Sequence, residues 1–134
     1  MLGHQTNPIS AYTQVSTETS VNSADPHRLV LLLFEAALSA ISIAQVAIET
    51  NDTATRGTAI SKAIDIINNG LRASLDLEAG GELAAKLGLL YEYMCNRLLL
   101  ATLRNDKSIL NEVAELLSEI HEAWVAIGSE NSFK

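Results

Sequence analysis

The chain has 134 residues, 48% of them hydrophobic, with only 7 Gly and 2 Pro; this fits one ordered domain with a sizeable core and excludes a low-complexity or fibrous chain. A net charge of −7 leaves no basic footprint for general nucleic-acid binding, and anionic membrane surfaces would repel the chain. Cys95 is the only cysteine, so no internal disulfide can form, which fits a reducing cytosol.

Residues 1–24 are rich in Ser, Thr, Asn and Gln, and Glu18 is their one charged residue. There is no basic stretch followed by an apolar core, so no signal peptide is expected. The scattered apolar residues cannot bury enough surface to order the segment alone. Ile9, Tyr12 and Val15 recur at three-residue steps, so a turn or two of helix could form against a groove. A flexible terminus and a groove-docked arm both stay open.

The first helix is expected from Asp25 to Glu49, with Ser23 or Asp25 as cap and Pro26 in the first turn. Between Leu29 and Ile48 only Glu35, Ser39, Ser42 and Gln45 are polar. At about 100° per residue, Arg28, Glu35, Ser39, Ser42 and Glu49 form one narrow polar stripe. Val30, Leu33, Phe34, Ala37, Ile41, Ala44 and Ile48 lie opposite. Leu31, Leu32, Leu38, Ile43 and Val46 sit beside or inside the polar stripe, where a bundle helix ordinarily shows polar groups. Either neighbours wrap this helix on three sides, or part of its surface awaits a partner. Its length could suit a membrane span, but the periodic stripe with Glu35 and the lack of flanking anchors favour a bundle helix.

A turn at residues 50–53 leads to a second helix, from about Ala54 to Asp76. Ile60, Ala63, Ile64, Ile67, Leu71 and Leu75 form its core stripe, and Gly70 weakens its interior or marks a close helix approach. Glu78-Ala79-Gly80-Gly81 reads as the break. The third helix spans roughly Glu82 to Arg104. Leu83, Leu87, Leu90, Met94, Leu98 and Ala101 face the core; Leu89, Tyr93, Leu99, Leu100 and Leu103 fall off that stripe. Asn105-Asp106 is the next turn and cap. A fourth helix runs from Lys107 to about Ile127, with Gly128 as its stop and Glu112, Glu115, Glu119 and Glu122 on a solvated face. Four such helices joined by short turns predict an all-α, antiparallel up-down bundle over residues 25–128, preceded by the arm 1–24 and followed by a polar tail, 129–134.

The residues offer little chemistry. His4, His27 and His121 are scattered, and Ser118 stands where a Glu-x-x-His metal motif would need its glutamate. Cys95 lies on an apolar helix with no cation or helix N-terminus to activate it. Gly80-Gly81 precedes a helix but lacks the Lys and Ser/Thr of a phosphate loop. No enzyme, cofactor or metal site is expected. Excess apolar surface remains, and helix-in-groove recognition or coupled folding of a disordered segment would use it. Closure of a homodimer would use it equally well.

Several stretches resemble one family. ADPHRLVLLLFEAALSAI, KAIDIINNGLRASLDLEAGGELAAKLGLLYEYM and EVAELLSEIHEAWVAI occur in the order found in the flagellar secretion chaperone FliS family, and AYTQV around Tyr12 is similar to its N-terminal Tyr motif. Phe34 stands where a Tyr is common, and His121 where a basic residue is familiar. The resemblance implies a bacterial cytosolic export chaperone. It would bind the disordered C-terminal region of flagellin, prevent premature polymerisation and deliver it to the flagellar type III export apparatus. Flagellin, and components of that apparatus, would be its partners, and the protein a monomer or weak homo-oligomer. The resemblance places Tyr12 in a groove-covering arm, and Tyr91 and Tyr93 in the LY.Y pattern; by helical angle Tyr91 borders the core and Tyr93 is more accessible. Ile9 joins Tyr12 on the arm, and the angular reading adds Leu31, Leu38, Leu89 and Leu100 as candidate partner-binding residues.

Overall fold

The computed structural model describes residues 25–131, with side chains as far as Gly128. Ile9 and Tyr12 lie outside the described residues. Four helices follow in order: α1 (Pro26–Glu49), α2 (Thr53–Asp65, continued by a π-helical segment Ile66–Arg72), α3 (Leu77–Arg104) and α4 (Lys107–Asn131). No strand occurs among the described residues.

Each start is fixed by an aspartate. The Asp25 carboxylate accepts from the His27 N–H at 3.0 Å, Asp52 from Thr55 at 3.1 Å, and Asp106 from Ser108 at 2.9 Å. Asp76 accepts from both Glu78 and Ala79. Such bonds satisfy amides that have no partner within the helix. The turns after α1 and α3 each contain an asparagine in the left-handed region, Asn51 at φ 57° and Asn105 at φ 53°. Asparagine tolerates that conformation better than most residues.

The helices form a ring in which α1 and α3 each pack against α2 and α4, while the backbones of the diagonal pairs stay apart. Polar contacts show that neighbours run antiparallel. His27 at the start of α1 meets Trp124 near the end of α4, and Lys107 at the start of α4 pairs with Glu49 at the end of α1. Arg56 at the start of α2 donates to Asn105 and to the Thr102 carbonyl at the end of α3. This is the expected up-down four-helix bundle. Phe34, Ile41, Ile60, Ile67, Met94, Leu98, Leu110 and Leu117 fill its centre. By length and composition α1 could cross a membrane. Its face of Leu33, Phe34, Ala37, Ile41 and Ala44 is instead buried against the other helices.

Three boundaries differ from the sequence reading. First, α2 does not stay α-helical to Asp76: its hydrogen bonding widens at Ile66 and the helix ends at Arg72. The wider turn brings Ile66, Ile67, Gly70 and Leu71 inward together, four of seven residues. Second, α3 starts at Leu77, because Asp76 caps a helical turn that the sequence reading placed in the break. The interruption is confined to Gly81, at φ 55° and ψ −129°. Third, α4 continues past Gly128 to Asn131.

A Cβ at Gly81 would meet nothing within 4 Å, so the position is constrained by backbone conformation alone. Gly81→Ala is expected to destabilise the bundle by about 1–3 kcal/mol, measured by urea unfolding. The caps predict a pH dependence. The Thr55 hydroxyl and N–H hold Asp52 below its ordinary range, and those of Ser108 do the same for Asp106. A carboxylate whose folded pKa is depressed stabilises the fold above its unfolded value, and that contribution fades as pH falls through the folded one. The thermal midpoint should therefore be level near neutrality and fall below about pH 4. Asp52→Asn with Asp106→Asn should flatten part of that fall in circular-dichroism melts.

Candidate partner-binding surface

α3 carries two seams. Its inner side buries Ala84, Tyr91, Met94, Leu98 and Ala101. Its outer side presents Leu89, Tyr93, Asn96, Leu100 and Leu103, spaced 4, 3, 4 and 3 residues apart. That alternation is the heptad spacing by which one helix receives another. Leu89 is 66% exposed and Leu103 78%; Tyr93 is exposed, and Leu100 is half-buried. Leu99, also exposed, borders the strip.

The seam is held in place from α4. The Tyr93 hydroxyl donates to Glu112 at 2.5 Å, and Arg97 Nε–H donates to the other oxygen of the same carboxylate at 2.8 Å. These two bonds, the tyrosine's first, hold the Glu112 carboxyl below its ordinary range. Conversely, the Glu112 hydrogen bond raises the Tyr93 phenol. Tyr93 is thus a neutral, oriented ring at the edge of the seam. Tyr91, two residues earlier and on the inner side of α3, is buried, and burial pushes its phenol up to about 12.

The candidate residues of the sequence reading do not all share this surface. Leu89, Tyr93 and Leu100 lie together on it. Tyr91 is in the core cluster, in keeping with its place at the core border. Leu31 and Leu38 are half-buried on α1, and Leu38 and Leu100 pack against the core. The exposed apolar residues of α1 are instead Ile43 and Val46. Ile43 edges a shallow groove between α1 and α2 floored by Ala40, Ala54 and Ala59. Leu83, assigned to the core by periodicity, is exposed.

Leu83 lies at the rim of a second feature, a cavity of about 460 Å³ at the end of the bundle where α1 begins. All four helices line it, through residues such as Val30, Leu71, Leu87 and Ile120. One wall is a reciprocal contact between α1 and α4. The His27 Nε2–H donates to the Trp124 carbonyl at 2.6 Å, and the Trp124 indole N–H donates to the His27 carbonyl at 3.2 Å. Their rings stack at 5.0 Å between centroids. Gly128 lies directly behind the imidazole, where a Cβ would fall 1.9 Å from Cε1 of His27. The glycine gives this close approach room and does not end the helix. Gly128→Ala should displace the imidazole, shift Trp124 emission and lower stability by about 1–3 kcal/mol. Adding His27→Ala should restore the urea midpoint toward that of His27→Ala alone.

No group of three or more His, Cys, Asp or Glu arranged to hold a metal occurs among the described residues. The Cys95 thiol is half-buried, directed at the Ile64 carbonyl at 3.8 Å, and burial raises its pKa, the reverse of an activated nucleophile. His121 sits 5.8 Å from the Phe34 ring and 3.7 Å from the Glu35 carboxylate, as a structural residue between α1 and α4.

A four-helix bundle with an outward apolar seam has the architecture of a small helical binding protein. Sequence comparison narrows it. The family model described as flagellar protein FliS matches residues 8–131. The chain is 52% identical over 126 residues to the flagellar secretion chaperone FliS of Salmonella typhimurium, covering 94% of this chain and 93% of that one. It is 47% identical to the flagellar secretion chaperone FliSB of Pseudomonas aeruginosa, over 87% of this chain and 91% of that one. With the FliS of Bacillus subtilis the identity is 37%, over 92% and 89%. The chain belongs to the FliS family, whose named members are chaperones and not enzymes.

Proposed function

We propose that this chain is a chaperone of flagellar export that works in the bacterial cytosol and binds the disordered C-terminal segment of flagellin. One observation carries the site: the outward heptad seam of α3, in a chain whose relatives are named flagellar secretion chaperones. A cargo segment that folds into an amphipathic helix covers Leu89, Tyr93, Leu100 and Leu103. Each large apolar side chain so covered is worth roughly 1.5–3 kcal/mol gross. Ordering the cargo opposes part of that gain. While covered, the cargo helix is withheld from polymerisation, and the complex is delivered to the type III export apparatus without nucleotide hydrolysis.

Residues 1–24, with Ile9 and Tyr12, act as an arm that covers part of the apolar surface of the bundle until cargo displaces it. Leu31 and Leu38, half-buried on α1, flank that surface. Isothermal titration with a peptide of the flagellin C-terminal region should show saturable binding with a negative heat-capacity change, the mark of apolar burial. A peptide from the flagellin N-terminal region should not bind. Equal binding of both would contradict the assignment.

A further inference from the structure

The two ends of the bundle differ in charge. The end with the cavity is formed by residues 25–37, 64–92 and 118–128, which hold nine carboxylates against Arg28, Arg72 and Lys86. The opposite end, residues 38–63 and 93–117, holds five carboxylates against five cations. The described bundle, through Gly128, therefore carries its whole negative excess in the half that holds the cavity. Asp76 lines the cavity itself, and Glu78 and Glu82 follow within the next two turns of α3. Glu119 and Glu122, on α4, make no ion pair among the described residues. Arg72 pairs with Glu92 and Lys86 with Glu82, yet carboxylates still outnumber cations nine to three in the half that holds the cavity, and such an excess attracts cations and disfavours anions.

We propose that this end is a second docking site, separate from the α3 seam, for a partner segment that is positively charged and anchored by a large apolar side chain in the cavity. Charge complementarity selects that occupant. The chain's own residues 1–24 bring no lysine or arginine and one acid, Glu18, so they gain nothing from the surrounding field. A second copy also carries a net charge of −7 and is repelled as a whole. A cavity of about 460 Å³ has room for one or two large side chains. The rim residue Leu83 supplies exposed apolar surface to cover their stems.

Trp124 is the only tryptophan and forms part of the wall, so its emission reports on occupancy. The full-length protein is titrated with four acetylated, amidated hexapeptides, KKFLKK, SSFLSS, EEFLEE and KKAAKK. KKFLKK should give a saturable change in Trp124 emission, at least about tenfold tighter than the other three. Raising NaCl from about 50 to about 300 mM should weaken it by about tenfold. Glu78→Lys with Glu82→Lys, both exposed, should weaken it similarly without loss of helicity. Leu89→Asp with Tyr93→Asp should leave it unchanged, which separates this site from flagellin binding. Equal binding of SSFLSS would remove the charge from the proposal, and equal binding of KKAAKK would remove the cavity. No response to any peptide, as when residues 1–24 or a second copy already fill the cavity, would overturn it.

Discussion

Phe34→Ala is expected to destabilise the protein by about 3–5 kcal/mol, the largest effect of any single truncation considered. Phe34 is 1% exposed and belongs both to the central core and to the lining of the end cavity. Removing the ring therefore merges new empty volume with space already present, and collapse around it is hindered. Its neighbour His121 would lose the ring at 5.8 Å as well. A marginally stable domain has roughly 5–15 kcal/mol in total, so the urea midpoint should move far and the melting temperature fall by many degrees. Phe34→Leu keeps most of the volume and should lose less than half as much. A loss below about 1 kcal/mol for the alanine variant would mean that the end of the bundle is not packed as described.

Leu89→Asp and Tyr93→Asp should each weaken flagellin binding by about 30-fold or more, the range of an interface hot spot. Both side chains are exposed, so neither change buries a charge in the free protein, and helicity should stay intact. In the complex each carboxylate would sit beneath a cargo helix and have to be desolvated. Tyr93→Phe separates the two roles of that residue: it keeps the ring, frees Glu112 from the phenol and should bind almost normally. Leu100→Asp is the contrasting case. Leu100 packs against the core, and its change should lower stability as well as affinity. If Leu89→Asp and Tyr93→Asp unfolded the protein, the outer side of α3 would be core and not seam.

The helices were legible because their apolar residues repeat with helical spacing and their ends carry aspartate and asparagine. Met94, Leu98 and Val113 could be placed in the core from periodicity alone, and Tyr93 outside it. The π-helical segment could not be read, because the spacing of Ile60, Ile64, Ile67 and Leu71 is that of an ordinary helix and nothing in it marks the change of hydrogen bonding at Ile66. Gly128 looked like a helix stop because glycine often is one, whereas its reason here is the ring of His27, at the far end of the described chain. Asp76 was missed as a cap because the glycines that follow it resemble a plain break. Leu31, Leu38 and Leu83 show the limit of a helical wheel. It places a side chain around its own axis but not where the neighbouring helices end. Leu83 lines the end cavity and stays exposed, whereas Leu31 and Leu38 are half-buried. The partner seam itself was partly legible, in the off-stripe residues Leu89, Tyr93, Leu100 and Leu103. Their common heptad register acquires meaning only in the fold, where the other described helices leave that side uncovered.

The proposed function puts a flagellin segment on the outer side of α3. Multi-angle light scattering of the purified full-length protein tests it most directly, alone and mixed with a peptide of the flagellin C-terminal region. The predicted result is mainly monomer that becomes a 1:1 complex, and Leu89→Asp should abolish the complex without changing the monomer. A stable dimer that ignores the peptide, and that Leu89→Asp dissociates, would contradict the account and assign the seam to a second copy of this chain.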